Sequence, residues 1–145
     1  ARAHPRMIRP AVPADESRLR AIQSAALDEP WPELLDVAIS GAPEVLVVDP
    51  GQGPIGYTLV VPDRPTAYVA ELAVAPPAQG RGHGSRLLET LLSRLRADGF
   101  EEVRLTARAD DERVRSFYDG FEFVVGEAIP DHYEDGDGVV LVRSL

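Results

Sequence analysis

The sequence predicts one α/β domain, a single mixed sheet with helices on both faces. Three observations carry that expectation. Runs of period-two apolar alternation and runs of helical apolar spacing follow one another as β-α-α-β-β-β-α-β-α-β-β, seven strands and four helices. At 145 residues and 44% hydrophobic, the chain has the size of one domain and apolar residues enough for one core. No linker, low-complexity tract or internal repeat divides it. The domain is expected to span residues 7–145, with Met7 as the native start and residues 1–6 as a disordered or foreign extension.

Each element has its own signal. Residues 7–11 read as a short strand. Pro13, Asp15 and Glu16 open a helix whose apolar face is Leu19, Ile22 and Ala26, and Pro30-Trp31-Pro32 breaks it. Residues 33–40 read as a second helix ended by Gly41. Residues 44–48 and 55–61 pair around the turn Pro50-Gly51-Gln52-Gly53. A second turn over 62–65 leads to a strand over 66–75. Leu87, Leu88, Leu91, Leu92 and Leu95 stripe a helix over 85–97 that Gly99 terminates. Residues 103–107 alternate as a strand, and 110–118 form a short helix with Asp110 or Asp111 as its cap. Residues 121–125 read as a strand, 128–138 as a polar acidic loop, and 139–142 as the closing strand.

Composition excludes several classes. The net charge of −9 argues against a nucleic-acid partner, which needs a basic face. No apolar run is long enough for a membrane span, and no secretory leader precedes Met7, so a cytoplasmic location is expected. Cys is absent, which removes disulfides and thiolate metal sites; no metal is expected. All 15 Lys and Arg residues are Arg, a bias that fits GC-rich coding or a surface suited to high salt.

The segment from Ala75 to Ser85 carries the chemistry. A strand, the turn Gln79-Gly80-Arg81-Gly82-His83-Gly84, and a helix make an anion grip: glycines let backbone approach a ligand, and unpaired N–H groups of the first helical turn point at it. The nucleotide P-loop needs a Lys, which this chain lacks. The dinucleotide fingerprint also fails, because Gly80, Gly82 and Gly84 are evenly spaced.

Gln79-Gly80-Arg81-Gly82-His83-Gly84 resembles the Q/R-x-x-G-x-G/A signature of the GNAT superfamily of N-acetyltransferases. Glu71 to Pro76 resembles the strand that precedes it, and Asp111 to Phe121 the later N-x-x-A-x-x-x-Y block with its Gly-Phe. The resemblance runs from Met7 almost to the end, in element order as well as motif. It implies a mostly antiparallel sheet of about seven strands with about four helices, and acetyl-CoA as cosubstrate. By the same resemblance Gln79 and Gly80 open the pyrophosphate turn, and backbone N–H groups of Arg81, Gly82, His83, Gly84 and Ser85 hold the pyrophosphate, with Arg81 adding charge. The backbone of Leu72, Ala73 and Val74 holds the pantetheine arm, with the Val74 N–H near the thioester carbonyl. Asp111 stands where the family often has Asn at a cofactor contact.

The resemblance makes Tyr118 the hydrogen-bond donor to the leaving thiolate, although the helix end before Gly120-Phe121 is shorter than usual. Three groups stand as general base: Glu71 on the strand before the turn, His132 and Tyr133. For Glu71 an ordinary solvent-facing strand residue is an equal reading. Thr106 occupies the position where the branch acetylating protein N-termini often has Glu. The tail from Pro130 through Tyr133 resembles that branch, which includes the ribosomal-protein alanine acetyltransferases. The acceptor partner is therefore either a protein N-terminal α-amine or a small amine such as a polyamine, aminosugar or amino acid. Trp31, His132 and Tyr133 are its expected contacts. A non-catalytic acyl-CoA sensor is the reading from another class. Both monomer and homodimer fit.

Overall fold

Residues of β2 (Glu44–Val48) alternate between two cores: Val45 and Val47 face one, Leu46 and Val48 the other. A strand apolar on both faces sits inside a sheet covered on both sides. The computed structural model describes residues 7–39 and 44–145. The extension 1–6 and the expected helix end at Ser40 and Gly41 lie outside the described residues.

The sheet contains β1 (Ile8–Pro10), β2, β3 (Gly56–Asp63), β4 (Thr66–Val74), β5 (Glu102–Arg108), β6 (Val124–Tyr133) and β7 (Gly136–Ser144). Its order is β1-β2-β3-β4-β5-β7-β6. Every pairing is antiparallel except β4 with β5. Those two are joined through α3 (His83–Ala97), since parallel neighbours need a crossover.

Helices α1 (Glu16–Ala26) and α2 (Pro32–Ile39) cover one face, where Leu19, Ile22 and Leu35 meet Val45, Val47, Tyr57 and Leu59. Helix α3 covers the other with its leucine stripe, and Phe123 and the Tyr118 ring of α4 (Glu112–Asp119) join that core. Asp111 is the cap of α4: its side chain accepts from the Val114 N–H at 3.1 Å. The β2–β3 turn is held by Asp49, whose carboxylate accepts the N–H groups of Gly51 and Gly53.

Several boundaries differ from the sequence expectation. A 3₁₀ turn, Pro13–Asp15, precedes α1. The strand expected over 121–125 begins only at Val124, because Glu122 at φ +67° reverses the chain after α4. The expected acidic loop over 128–138 is mostly hairpin, with β6 and β7 enclosing a two-residue turn. Strand β6 is the sheet edge and is solvated almost throughout, so it carries no hydrophobic alternation to read.

Candidate active site

Strands β4 and β5 pair only at Thr66, Ala67 and Tyr68 with Glu102, Val103 and Arg104. Beyond that point they diverge. The Tyr68 and Thr106 hydroxyls, 2.6 Å apart, form the last tie across them. Strand β4 carries a bulge there: Val60 faces Val69 and Leu59 faces Glu71, leaving Ala70 unmatched. The extra residue reverses the faces. Ala67 and Val69 enter the α3 core, whereas Ala73 enters the α1–α2 core, and Glu71 follows Ala73. The Ala75 N–H bonds the Ile55 carbonyl at 2.8 Å, so by strand alternation Leu72 and Val74 turn their amide edges to the gap. A cavity of about 650 Å³ occupies the gap.

One end of this cavity is main chain. Gly80, Gly82, His83, Gly84 and Ser85 line it. Gly82 is the N-cap of α3 at φ +84°, a conformation glycine adopts without strain, and it brings no capping side chain. The first intrahelical bond is from the Arg86 N–H to the Gly82 carbonyl, so the N–H groups of His83, Gly84 and Ser85 have no helical partner. The Gln79 side chain donates to the Val74 carbonyl at 2.9 Å, fixing the turn to the end of β4. Arg81 does not line the cavity. Burial first, then the charges of Arg86 and Arg81, hold His83 below the ordinary imidazole range.

Tyr118 lines the middle of the cavity. Its ring is clamped between Phe117 and Phe123, with centroids at 5.0 and 5.3 Å. Burial pushes its hydroxyl well above the ordinary tyrosine value, which keeps the proton on oxygen. Asp111 also lines the cavity, with one oxygen already spent on the α4 cap.

Glu71 is only 5% exposed, which removes the reading of a solvent-facing strand residue. Its oxygens accept from Gln23 Nε2 at 2.9 and 3.1 Å, the Tyr57 hydroxyl at 2.8 Å and the Trp31 N–H at 2.7 Å. A carboxylate has about four lone-pair sites; here each oxygen receives two contacts. Glu71 thus binds α1, β3 and the α1–α2 junction together from the cavity wall.

The end opposite the glycine turn is side chain. Leu27, Asp28 and Glu29 line it from the α1–α2 junction, and Arg108 and Tyr133 from the other side. Arg108, the last residue of β5, bonds Glu29 at 2.6 Å and Asp135 at 2.8 Å, with its guanidinium 4.5 Å from the Tyr133 ring centre. Sequence reasoning passed over Arg108, Asp28 and Glu29, because an arginine ending a strand and acids in a junction carry no signal until topology joins them. Trp31 is 54% exposed and, like His132, does not line the cavity; His132 packs against Tyr133 at 4.7 Å. Among the described residues no group of three or more His, Asp or Glu could hold a metal ion, and no helix is long and apolar enough to cross a membrane.

A sheet opened between β4 and β5, with a glycine turn at a helix start on one side of the opening, defines an acetyltransferase fold. The sequence profile of the Acetyltransferase (GNAT) family matches residues 14–123, and the chain belongs to that family. It is 40% identical over 76 residues to mycothiol acetyltransferase of Beutenbergia cavernae, covering 51% of this chain and 26% of that protein. It is 25% identical to N-alpha-acetyltransferase 30 of Saccharomyces cerevisiae over 79% of this chain and 66% of that one. The chain therefore spans about a quarter of the first relative and less than two thirds of the second. Among solved structures, Ard1 from Thermoplasma volcanium superposes with a TM-score of 0.87 at 25% identity, over 95% of this chain and 96% of that one. Arabidopsis thaliana Naa50, in complex with the bisubstrate analogue CoA-Ac-MVNAL, superposes at 0.82 with 18% identity, over 96% and 99%.

Proposed function

We propose that the chain is an acetyl-CoA-dependent N-acetyltransferase in which a primary amine attacks the thioester directly in a ternary complex. The observation that carries this reading is the single cavity wall shared by the free amides of α3, the turned-out edge of β4 and the Tyr118 hydroxyl. The N–H groups of His83, Gly84 and Ser85 would hold the pyrophosphate, where the helix dipole also favours negative charge. The edges of Leu72 and Val74 would receive the pantetheine amides as an added strand.

In the transfer, the amine nitrogen bonds the acetyl carbon, the C–S bond breaks, and its electron pair goes to sulfur. Tyr118 would donate a hydrogen bond to that sulfur. Full proton transfer is uphill, since an ordinary tyrosine near 10 is already a weaker acid than a thiol near 8.5 and burial weakens Tyr118 further. The proton lost by the nitrogen leaves to solvent. With its lone pairs occupied, Glu71 serves by position, holding the segment that contributes Leu27, Asp28 and Glu29. No Cys exists to carry an acetyl intermediate, which favours direct attack.

Thiol release from acetyl-CoA across a panel of amines tests the reading. Turnover with at least one amine is expected. Tight CoA binding without turnover on any amine would instead establish an acyl-CoA sensor.

A further inference from the structure

We infer that Arg108 is a gate across the acceptor end of the cavity, so that the acceptor is a small amine rather than the end of a polypeptide. The inference rests on the acetyl-transfer reading and names the substrate class of that site.

The donor end is occupied by the glycine turn, so the acceptor must come from the opposite end. That end has two lips. One is the α1–α2 junction with Glu29; the other is the β6–β7 hairpin with Tyr133 and Asp135. Arg108 stands between the lips and bonds both, one guanidinium nitrogen to Glu29 at 2.6 Å and another to Asp135 at 2.8 Å. The Tyr133 ring supports the guanidinium from below at 4.5 Å. A compact amine is accommodated inside the bridge. A polypeptide would have to continue outward from its amine, through the mouth that the bridge spans.

The bridge is also easily opened. Glu29 is 53% exposed and Asp135 76% exposed, and ion pairs so hydrated are weak and sensitive to salt. The gate therefore discriminates by degree. Two exposed pairs and one ring contact set against a passing chain correspond to about a tenfold preference.

Conjugates of CoA joined through an acetyl group to alanine amide, or to a five-residue peptide amide beginning with alanine, read the gate without turnover. Their dissociation constants are measured by calorimetry on the full chain, with CoA alone as control. In the wild type the one-residue conjugate is expected to bind about tenfold more tightly than the five-residue one. Arg108→Ala should bring the two within about threefold, and so should Glu29→Gln, which leaves β5 untouched. Raising salt from 0.1 to 1 M, which shortens the screening length from about 10 to about 3 Å, should shrink the wild-type difference. Equal wild-type affinities overturn the gate. A preference that survives both substitutions overturns Arg108 as its source. Failure of CoA itself to bind overturns the acetyl-CoA reading on which the gate rests, and the control separates that result from the other two.

Discussion

At one end of the cleft, Gly80 and Gly82 hold φ near +80° and leave the amides of His83, Gly84 and Ser85 without partners among the described residues. At the other, each Glu71 oxygen accepts two hydrogen bonds from neighbouring helices and strands, and Arg108 pairs with Glu29 and Asp135. The donor end is main chain held open; the acceptor end is side chains tied to one another, tightly at buried Glu71 and loosely at the exposed partners of Arg108. The difference teaches where specificity can vary. Backbone amides recognise any diphosphate in the same way, whatever the flanking side chains. A side-chain network changes its shape with each substitution. The donor end therefore suits a shared cosubstrate, and the acceptor end a particular one.

The largest break in this contrast is expected at Glu71. Glu71→Ala leaves the Tyr57 hydroxyl, Gln23 and the Trp31 N–H without their shared acceptor inside the protein. Removing one member of a buried, charge-assisted network costs about 3 kcal/mol. Urea unfolding should show that loss as a lower midpoint with an unchanged slope. Glu71→Gln keeps the volume and separates position from mere stability: the acceptor KM should rise while CoA affinity holds. A fall in CoA affinity with no change in acceptor KM would refute the positioning role.

Tyr118→Phe comes next. It removes one hydroxyl and keeps the ring between Phe117 and Phe123. Loss of one donor at the developing charge is expected to lower kcat by about 100-fold. Calorimetric CoA affinity should change by less than about twofold. An unchanged kcat removes Tyr118 from the chemistry.

The two ends also differ in how far they can be read from the chain. The glycine turn, the leucine stripe of α3 and the Asp111 cap are local patterns, with every residue that matters within a few positions. Sequence therefore places them to within a residue or two: α3 begins at His83 where Ser85 was expected. The acceptor end is non-local. Arg108 and Glu29 are 79 positions apart, Gln23 and Glu71 48. The bulge at Ala70 decides which face Glu71 takes, and because β4 is covered on both faces its buried positions 67, 69, 71 and 73 alternate unbroken across the bulge. Trp31 shows the converse. Sequence points to Trp31 as an acceptor contact, but it is its backbone N–H that bonds Glu71 at the cavity wall, and any residue except Pro supplies one.

The donor end can be broken through geometry alone. Gly82→Ala meets no atom within 4 Å, so crowding is not the issue. The cost is the left-handed backbone at φ +84°, about 1 kcal/mol for an L-residue. If the turn relaxes to avoid that cost, the amides of α3 swing off their common point. CoA affinity should then fall about tenfold. Acceptor KM should hold, the mirror image of Glu71→Gln. An unchanged CoA affinity would mean that these amides are not the grip.

The smallest expected effect is the sharpest in sign. Burial first, then Arg86 and Arg81, hold His83 below the ordinary imidazole range, so protons bind the unfolded chain more readily than the folded one. Stability of the free protein should thus decline as pH falls through about 6.5. An anion against the α3 turn would favour the imidazolium and reverse the bias. CoA binding should then take up a fraction of a proton near pH 6, seen as a calorimetric heat that varies with buffer ionisation enthalpy. Affinity should rise by about threefold as pH falls from 7.5 to 6. His83→Ala should flatten both trends. One acid step thus moves stability down and affinity up, a pairing that a general effect of lower pH on an acidic protein does not produce. If both fall together, His83 does not face the bound anion.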